Sequence, residues 1–376
     1  MINSKSASAI WMKVIIASAL LSLCLLGLVA CADGDRNSSA AHNDYELTVN
    51  DKGTSQVTAS DRSASSRTSD ASIIMTLAGS AETYVLQGED YLEAGSRAVS
   101  KKFGDITDAV EVSDNVDTDQ PGDYEVTYSV ADDDGNSAST IRTVHVVEDF
   151  DKASSIPVLM YHYVYDDANP PADLGSNHIE QDKLADQLSY LSENDYYYPS
   201  YQELRAFVDG THSLPSKSVV LTFDDGEQGF LDYGIPLLEQ FKVPATSFII
   251  GEDPEAETKI IEYASSYVNF QSHTFGMHAD GSSVGQGGII HNMSEDEIYA
   301  DMLKSKDQLG VLDAVAYPFG DNNETAWGAL DKAGVLCAFT VEQDRVHPGD
   351  NPMALTRSRI FGDIEQGGFE WLVRAE

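Results

Sequence analysis

From Ile73 to Val147 apolar and polar positions alternate. Tyr124, Val126, Tyr128 and Val130 fall on one face of a strand, Asp133-Asp134-Gly135-Asn136 supplies a tight turn, and Ile141 to Val147 alternates again. Short alternating strands at this spacing predict a small antiparallel sandwich. Beyond a polar linker, Glu148 to Ser155, the pattern changes to continuous apolar runs separated by amphipathic stretches. The runs predict strands at Pro157 to Tyr161, Val219 to Phe223, Ala245 to Ile250, Val268 to Ser272, Ala314 to Tyr317 and Cys337 to Val341. The amphipathic stretches predict helices at Asp182 to Glu193, Phe230 to Phe241 and Ser294 to Leu309. This β/α alternation over about 220 residues fits a parallel barrel or a related α/β sheet, in which functional groups collect at the C-terminal ends of the strands.

Composition sharpens the picture. The chain of 376 residues, at roughly 150 per domain, has room for two or three domains, and 42% hydrophobic content excludes a wholly disordered chain. Lys and Arg number 23 against 62 Asp and Glu, and a net charge of −39 repels phosphate backbones, which excludes a nucleic-acid partner. The cysteines are Cys24, Cys31 and Cys337, and the first two fall in an N-terminal apolar run, so the folded part keeps at most one thiol, which excludes a disulfide scaffold or a zinc finger. Lys5 and Lys13 precede an uncharged run from Val14 to Ala30, the pattern of an export signal or, alternatively, an uncleaved anchor. Its end, Leu28-Val29-Ala30-Cys31, resembles a bacterial lipobox. That likeness implies lipidation at Cys31 and a protein tethered to the outer face of the cytoplasmic membrane or the cell surface. The stretch that follows is rich in Ser, Ala, Asp, Asn and Thr without sustained period and reads as a flexible tether. The expected organisation is a signal peptide at 1–31, a tether at 32–72, a β-sandwich at 73–148 and a catalytic domain at 156–376, acting as a monomer.

Polar residues stand at the ends of four predicted strands: His162 after Pro157 to Tyr161, Asp224-Asp225-Gly226 after Val219 to Phe223, His273 after Val268 to Ser272, and Tyr317-Pro318-Phe319-Gly320 after Ala314 to Ala316. Four separate strands delivering such groups to one rim point to an active site. Two imidazoles and a carboxylate suit a borderline divalent cation such as Zn²⁺, with Co²⁺ or Ni²⁺ as substitutes, and leave positions open for water and substrate. His273 and His278 are five apart, about 140° around a helix, so a strand end and an irregular turn must place them. Adjacent aspartates cannot both face one ion from an extended strand, which suggests one ligand and one base.

These motifs carry two resemblances. Gly104-Asp105-Ile106-Thr107, Pro121-Gly122-Asp123-Tyr124, Asp134-Gly135-Asn136 and Arg142-Thr143-Val144 are similar to bacterial immunoglobulin-like surface repeats, which implies a spacer or weak wall-binding module. Asp132, Asp133 and Asp134 beside Asp105 are open to two readings, a Ca²⁺ site or simple turn chemistry. Thr222-Phe223-Asp224-Asp225-Gly226 with Ser272-His273-Thr274-Phe275-Gly276-Met277-His278 resembles the polysaccharide deacetylase family (NodB homology, carbohydrate esterase family 4) over roughly residues 156 to 376. The five-residue histidine spacing resembles the poly-N-acetylglucosamine deacetylase subgroup.

The resemblance implies a (β/α) barrel-like domain with Asp224 as general base, Asp225, His273 and His278 as metal ligands, and an N-acetylated polysaccharide as substrate. The family's Arg-Pro-Pro-Tyr-Gly motif corresponds to Ala316-Tyr317-Pro318-Phe319-Gly320, so the Arg that orients the base is missing there. The backbone N–H of Phe319 carries over as an oxyanion donor, with Tyr317 and Pro318 as substrate contacts. The family's C-terminal Leu-x-His is also missing, and His347 is the only histidine beyond His291. Met160-Tyr161-His162-Tyr163-Val164 resembles the subgroup's N-terminal motif, which implies that His162 is the general acid. Tyr196, Tyr197, Tyr198, Tyr201 and Trp327 are candidates for stacking on sugar rings. The rival expectations are an O-deacetylase of acetylated xylan, or a surface polysaccharide-binding lipoprotein with a silent site.

Overall fold

The structure, a computed structural model, describes residues 71–281 and 285–376. Cys31, the export signal and nearly all of the tether therefore lie outside the described residues.

The first module is a β-sandwich. One sheet holds β1 (Ile73–Leu77), β3 (Ser96–Ser100) and β4 (Gly104–Asp105); the other, in order, holds β2 (Glu82–Leu86), β7 (Ser137–Val147), β6 (Gly122–Ala131) and β5 (Glu111–Ser113). The alternation in β6 does what it predicts: Val126, Tyr128 and Val130 point into a core shared with Ile73, Met75, Val85, Ala98, Val144 and Val146. β6 and β7 form a long antiparallel hairpin from Gly122↔Val146 to Ala131↔Ser137. In its turn, Asp132 accepts the N–H groups of Asp134 and Asn136 at 3.1 and 3.0 Å. Lys102 pairs with Asp134 and Arg97 with Asp105. The acidic turn is thus satisfied by its own backbone and by neighbouring cations, which favours turn chemistry over a Ca²⁺ site.

The larger module is built on seven parallel strands in the order β15 (Cys337–Phe339), β14 (Ala314–Ala316), β13 (Val268–Ser272), β12 (Ala245–Ile249), β11 (Val220–Phe223), β8 (Val158–Tyr161) and β16 (Ser358–Arg359). The sheet curves as a half-barrel whose outer strands, β15 and β16, do not pair with each other. A two-strand extension, β9 (Tyr163–Tyr165) with β10 (His178–Glu180), continues from β8. Because both faces are covered, β8, β11, β12, β14 and β15 are buried along their whole length and are built mainly of apolar residues. Val158, Val220, Phe248, Ala316 and Phe339 fill the concave side. Leu159, Tyr161, Leu221 and Phe223 pack beneath α1 (Gln181–Glu193), α3 (Ile235–Phe241) and α7 (Gln366–Val373). Val315 and Ala338 pack beneath α5 (Glu295–Leu309) and α6 (Glu324–Ala333).

Two local expectations change. The helix expected over Phe230 to Phe241 is a π-helical turn, Phe230–Gly234, running into α3. Pro236 has no N–H to continue an α-helical ladder, and Ile235 N–H reaches back five residues to Phe230 O. The expected ring-stacking tyrosines are buried: Tyr196, Tyr197, Tyr198 and Tyr201 are each 8% exposed or less. The sandwich docks where this run lies, with Ser80 N–H donating to Tyr198 O at 2.8 Å and Tyr84 edge-on to Tyr197. Further bonds cross the same seam: Thr76 Oγ1 to Ser265 O at 2.6 Å, Asn269 Nδ2 to Leu77 O at 2.9 Å, and Ser213 Oγ to Glu89 at 2.9 Å. Trp327 is half-buried and donates its indole N–H to Asn322.

Candidate active site

Three neighbouring strands set the geometry. β8, β11 and β16 run in parallel with Met160, Thr222 and Arg359 in one row, so the residues just after them share the C-terminal rim. Asp224 continues β11, its N–H bonded to Tyr161 O at 3.0 Å. The next residue, Asp225, takes a φ of 74°. Aspartate tolerates this left-handed turn better than most side chains. The turn divides the pair: the Asp224 carboxylate goes to the barrel interior and that of Asp225 to the histidines.

Asp225 Oδ1 lies 3.3 Å from His273 Nε2 and 3.4 Å from His278 Nε2. The nearest donor atoms of the three residues all lie within 4.8 Å of one another. His273 Nδ1 donates to Ala316 O at 2.8 Å, which leaves Nε2 free to act as a ligand. Tetrahedral coordination with metal–ligand bonds of about 2.0–2.1 Å places donors roughly 3.3 Å apart, which the two separations between Asp225 and the histidines match, and the donor types suit a Zn²⁺-type cation. Burial alone would raise the Asp225 pKa, but the hydrogen bonds from His273 and His278 outweigh it and hold the carboxyl well below the usual range. His273 moves the opposite way: burial lowers its pKa, and Asp225 more than restores it.

The turn between the histidines is held from below. Thr274 has a φ of 68°, and Asp301 on α5 accepts the N–H groups of Phe275 and Gly276, both at 2.8 Å. That clamp lets five-residue spacing bring two imidazole rings to 5.0 Å.

Asp224 is buried and meets Arg357, just before β16, in a two-pronged ion pair with both N–O distances at 2.7 Å. The Arg missing from the Ala316 to Gly320 segment is therefore supplied by a different strand. Arg357 also bonds Thr222 Oγ1 and Thr340 O, which fixes the guanidinium plane. Burial would raise the Asp224 pKa; the Arg357 charge and hydrogen bonds dominate and hold it below the usual carboxylate value.

His162 sits beside this pair, its Nε2 4.0 Å from Asp224 Oδ2. Burial lowers its pKa, and Arg357 and Arg359 add to that against the pull of Asp224 and Asp225. Tyr163 donates its hydroxyl to Asp225 Oδ2 at 2.8 Å. Burial and the Asp225 charge push the phenol's pKa up, so it remains a donor. Phe319 adopts a φ of 61°, and its exposed ring stands 5.0 Å from His278.

Two expected substrate contacts do not hold. Tyr317 is fully buried, with its hydroxyl donating to Met353 O, and Pro318 is buried at the start of the following turn. Both shape the turn that carries Phe319 and offer no side-chain surface to a ligand. His347 lies in an exposed loop with Asp350, apart from this constellation. Sequence reasoning missed Arg357, Tyr163 and Asp301. The one signal for Arg357 was the pair Arg357 and Arg359 at strand spacing between Leu355 and Ile360.

Comparison with known proteins agrees with this fold. Residues 211–338 match the family model described as polysaccharide deacetylase, and residues 75–146 match that of the bacterial surface protein Ig-like domain. The chain is 26% identical over 212 residues to a poly-beta-1,6-N-acetyl-D-glucosamine N-deacetylase of Staphylococcus aureus, covering 52% of this chain and 71% of that protein. It is 26% identical over 221 residues to the enzyme of the same name from Staphylococcus epidermidis, covering 53% and 74%. Among solved structures it shares its fold with the Streptococcus pyogenes deacetylase PplD, with TM-score 0.50 and 24% identity over 59% of this chain and 99% of that one. IcaB from Ammonifex degensii is similar at TM-score 0.50 and 23% identity, over 60% and 98%. The larger module of this chain is a polysaccharide deacetylase domain, a hydrolase, and a bacterial surface immunoglobulin-like domain precedes it.

Proposed function

We propose that the protein is a metal-dependent N-deacetylase of an N-acetylglucosamine polymer at the cell surface. The observation that carries the reading is the convergence of Asp225, His273 and His278 on one point beside the buried Asp224 and Arg357 pair. Asp225, His273 and His278 would hold the ion, with Zn²⁺ the best match to the donor set. When bound, it supplies Lewis-acid polarisation of the acetyl carbonyl and lowers the pKa of water.

The protein's own groups then divide the work. Asp224, held ionised by Arg357, accepts the proton of the attacking water. The Phe319 N–H stabilises negative charge on the acetyl oxygen. His162 donates a proton to the sugar nitrogen as its bond to the acetyl carbon breaks. Water thus adds to the acetyl group, and acetate and a glucosamine residue leave. The substrate class follows the staphylococcal relatives, whose names specify poly-β-1,6-N-acetylglucosamine. Lipidation of Cys31, followed by the tether and the immunoglobulin-like domain, would present the site to a cell-wall or exopolysaccharide polymer.

The test is acetate release by the Zn²⁺-reconstituted protein from poly-β-1,6-N-acetylglucosamine, chitooligosaccharides and acetylated xylan. Release from the N-acetylated polymers is expected. Release from xylan alone would establish the O-deacetylase reading, and polymer binding without any release would establish a silent binding protein.

A further inference from the structure

We propose that Tyr163 is a positioning residue for the metal-ligating carboxylate: its hydroxyl engages Asp225 Oδ2, so that Oδ1 alone is presented with His273 and His278. This rests on the assignment of those three residues as metal ligands. The two oxygens of Asp225 have separate partners. Oδ1 faces both imidazoles at 3.3 and 3.4 Å, whereas Oδ2 takes the Tyr163 hydroxyl at 2.8 Å.

The division has a chemical consequence. A carboxylate with both oxygens free can bind a cation through one or through both, and the second mode consumes a coordination position. A hydrolytic site needs its open positions for water and the substrate carbonyl. A hydrogen bond to the second oxygen opposes the two-oxygen mode, and such outer partners also fix the direction of the ligand. The need is greater here because Asp225 stands on a left-handed turn, at the mouth of the site, with its side chain 17% exposed.

The phenol is itself well placed to do this. Tyr163 opens β9, paired in register with His178 of β10, and its ring packs 4.7 Å from the His178 ring. Its other neighbour is His162, edge-on at 5.8 Å. The ring therefore packs against two imidazoles, and the hydroxyl is the part that reaches Asp225.

Tyr163→Phe keeps the ring and removes only the hydroxyl; Tyr163→Leu removes both. In the full chain, Zn²⁺ affinity is measured by competition with a chelator, and coordination by the visible absorption of the Co²⁺-loaded protein. For Tyr163→Phe the expected result is one bound ion, affinity lowered about tenfold, an altered Co²⁺ spectrum and an unchanged melting temperature of the metal-free protein. Turnover should fall at least about tenfold in kcat, with KM within about twofold. If Tyr163→Phe matches the wild type in affinity and Co²⁺ spectrum while only Tyr163→Leu is impaired, ring packing explains the residue and the proposal is overturned. Failure of the underlying ligand assignment reads differently: Asp225→Ala would then bind Zn²⁺ as tightly as the wild type, which overturns both.

Discussion

Arg357 and Asp224 are joined by two parallel bonds, Nη1 to Oδ1 and Nη2 to Oδ2, with side chains 0% and 3% exposed. A charge pair this deeply buried is tolerable only while both partners are present, because removing one leaves the other desolvated without compensation. Arg357→Gln should therefore cost about 3–5 kcal/mol of stability. The double substitution Arg357→Gln with Asp224→Asn should cost less than the sum of the two singles, because neither charge is then stranded. Urea unfolding of the four proteins provides the check; additive losses would mean that the pair is not the unit of stability.

The same pair sets a pH dependence. The Asp224 pKa is lower folded than unfolded, because Arg357 outweighs the opposing effect of burial. A depressed carboxylate contributes stability that is fully present above its unfolded value, about 3.9, and is lost as pH falls through the folded value. Stability should thus decline from about pH 4 downward. Asp224→Asn cannot titrate at this position, so its urea midpoint, though lower, should vary less steeply between about pH 5 and 3. Parallel curves for the two proteins would refute the assignment.

A third expectation separates the two neighbouring aspartates. Asp225 faces both histidines, whereas Asp224 faces Arg357 and His162. His273→Ala, His278→Ala and Asp225→Ala should each lose Zn²⁺ and activity together. Asp224→Asn should retain the ion and lose about 10² or more in kcat. Elemental analysis beside turnover distinguishes these outcomes, and full occupancy in both histidine variants would remove the basis of the site.

What the sequence shows and hides follows from distance along the chain. The strands are legible because a doubly covered parallel sheet demands continuous apolar runs, and their ends then mark Asp224, Asp225, His162 and His273. Arg357 is hidden because it precedes a two-residue strand 133 positions from its partner. The tyrosine run at 196–198 offers candidates for sugar stacking from sequence alone, but its rings pack into the larger module's own cores, and the sandwich adds contacts to the Tyr198 carbonyl and the Tyr197 ring. Asp301 acts through two backbone N–H groups, a role with no side-chain motif to announce it.

His162 offers the sharpest test of the reaction itself. An amine leaves a tetrahedral carbon poorly unless it gains a proton, so the site needs an acid near the base. His162 is placed for it, 4.0 Å from Asp224 Oδ2 with its side chain 12% exposed, whereas the His347 side chain is 47% exposed in a loop with Asp350. Burial, aided by the charges of Arg357 and Arg359, lowers the His162 pKa below its ordinary 6.5. An acid must carry its proton to act, so kcat/KM should fall as pH rises through that lowered value, placing the descending limb on the acid side of about 6.5. His162→Asn should keep Zn²⁺ and melting temperature near the wild type, lower kcat by about 10² or more, and abolish that limb. His347→Asn should change none of these. A His162→Asn enzyme with near-normal kcat and an intact limb would show that the proton comes from elsewhere. Loss of both melting temperature and activity, with the limb unmoved, would mark His162 as a structural residue of the rim.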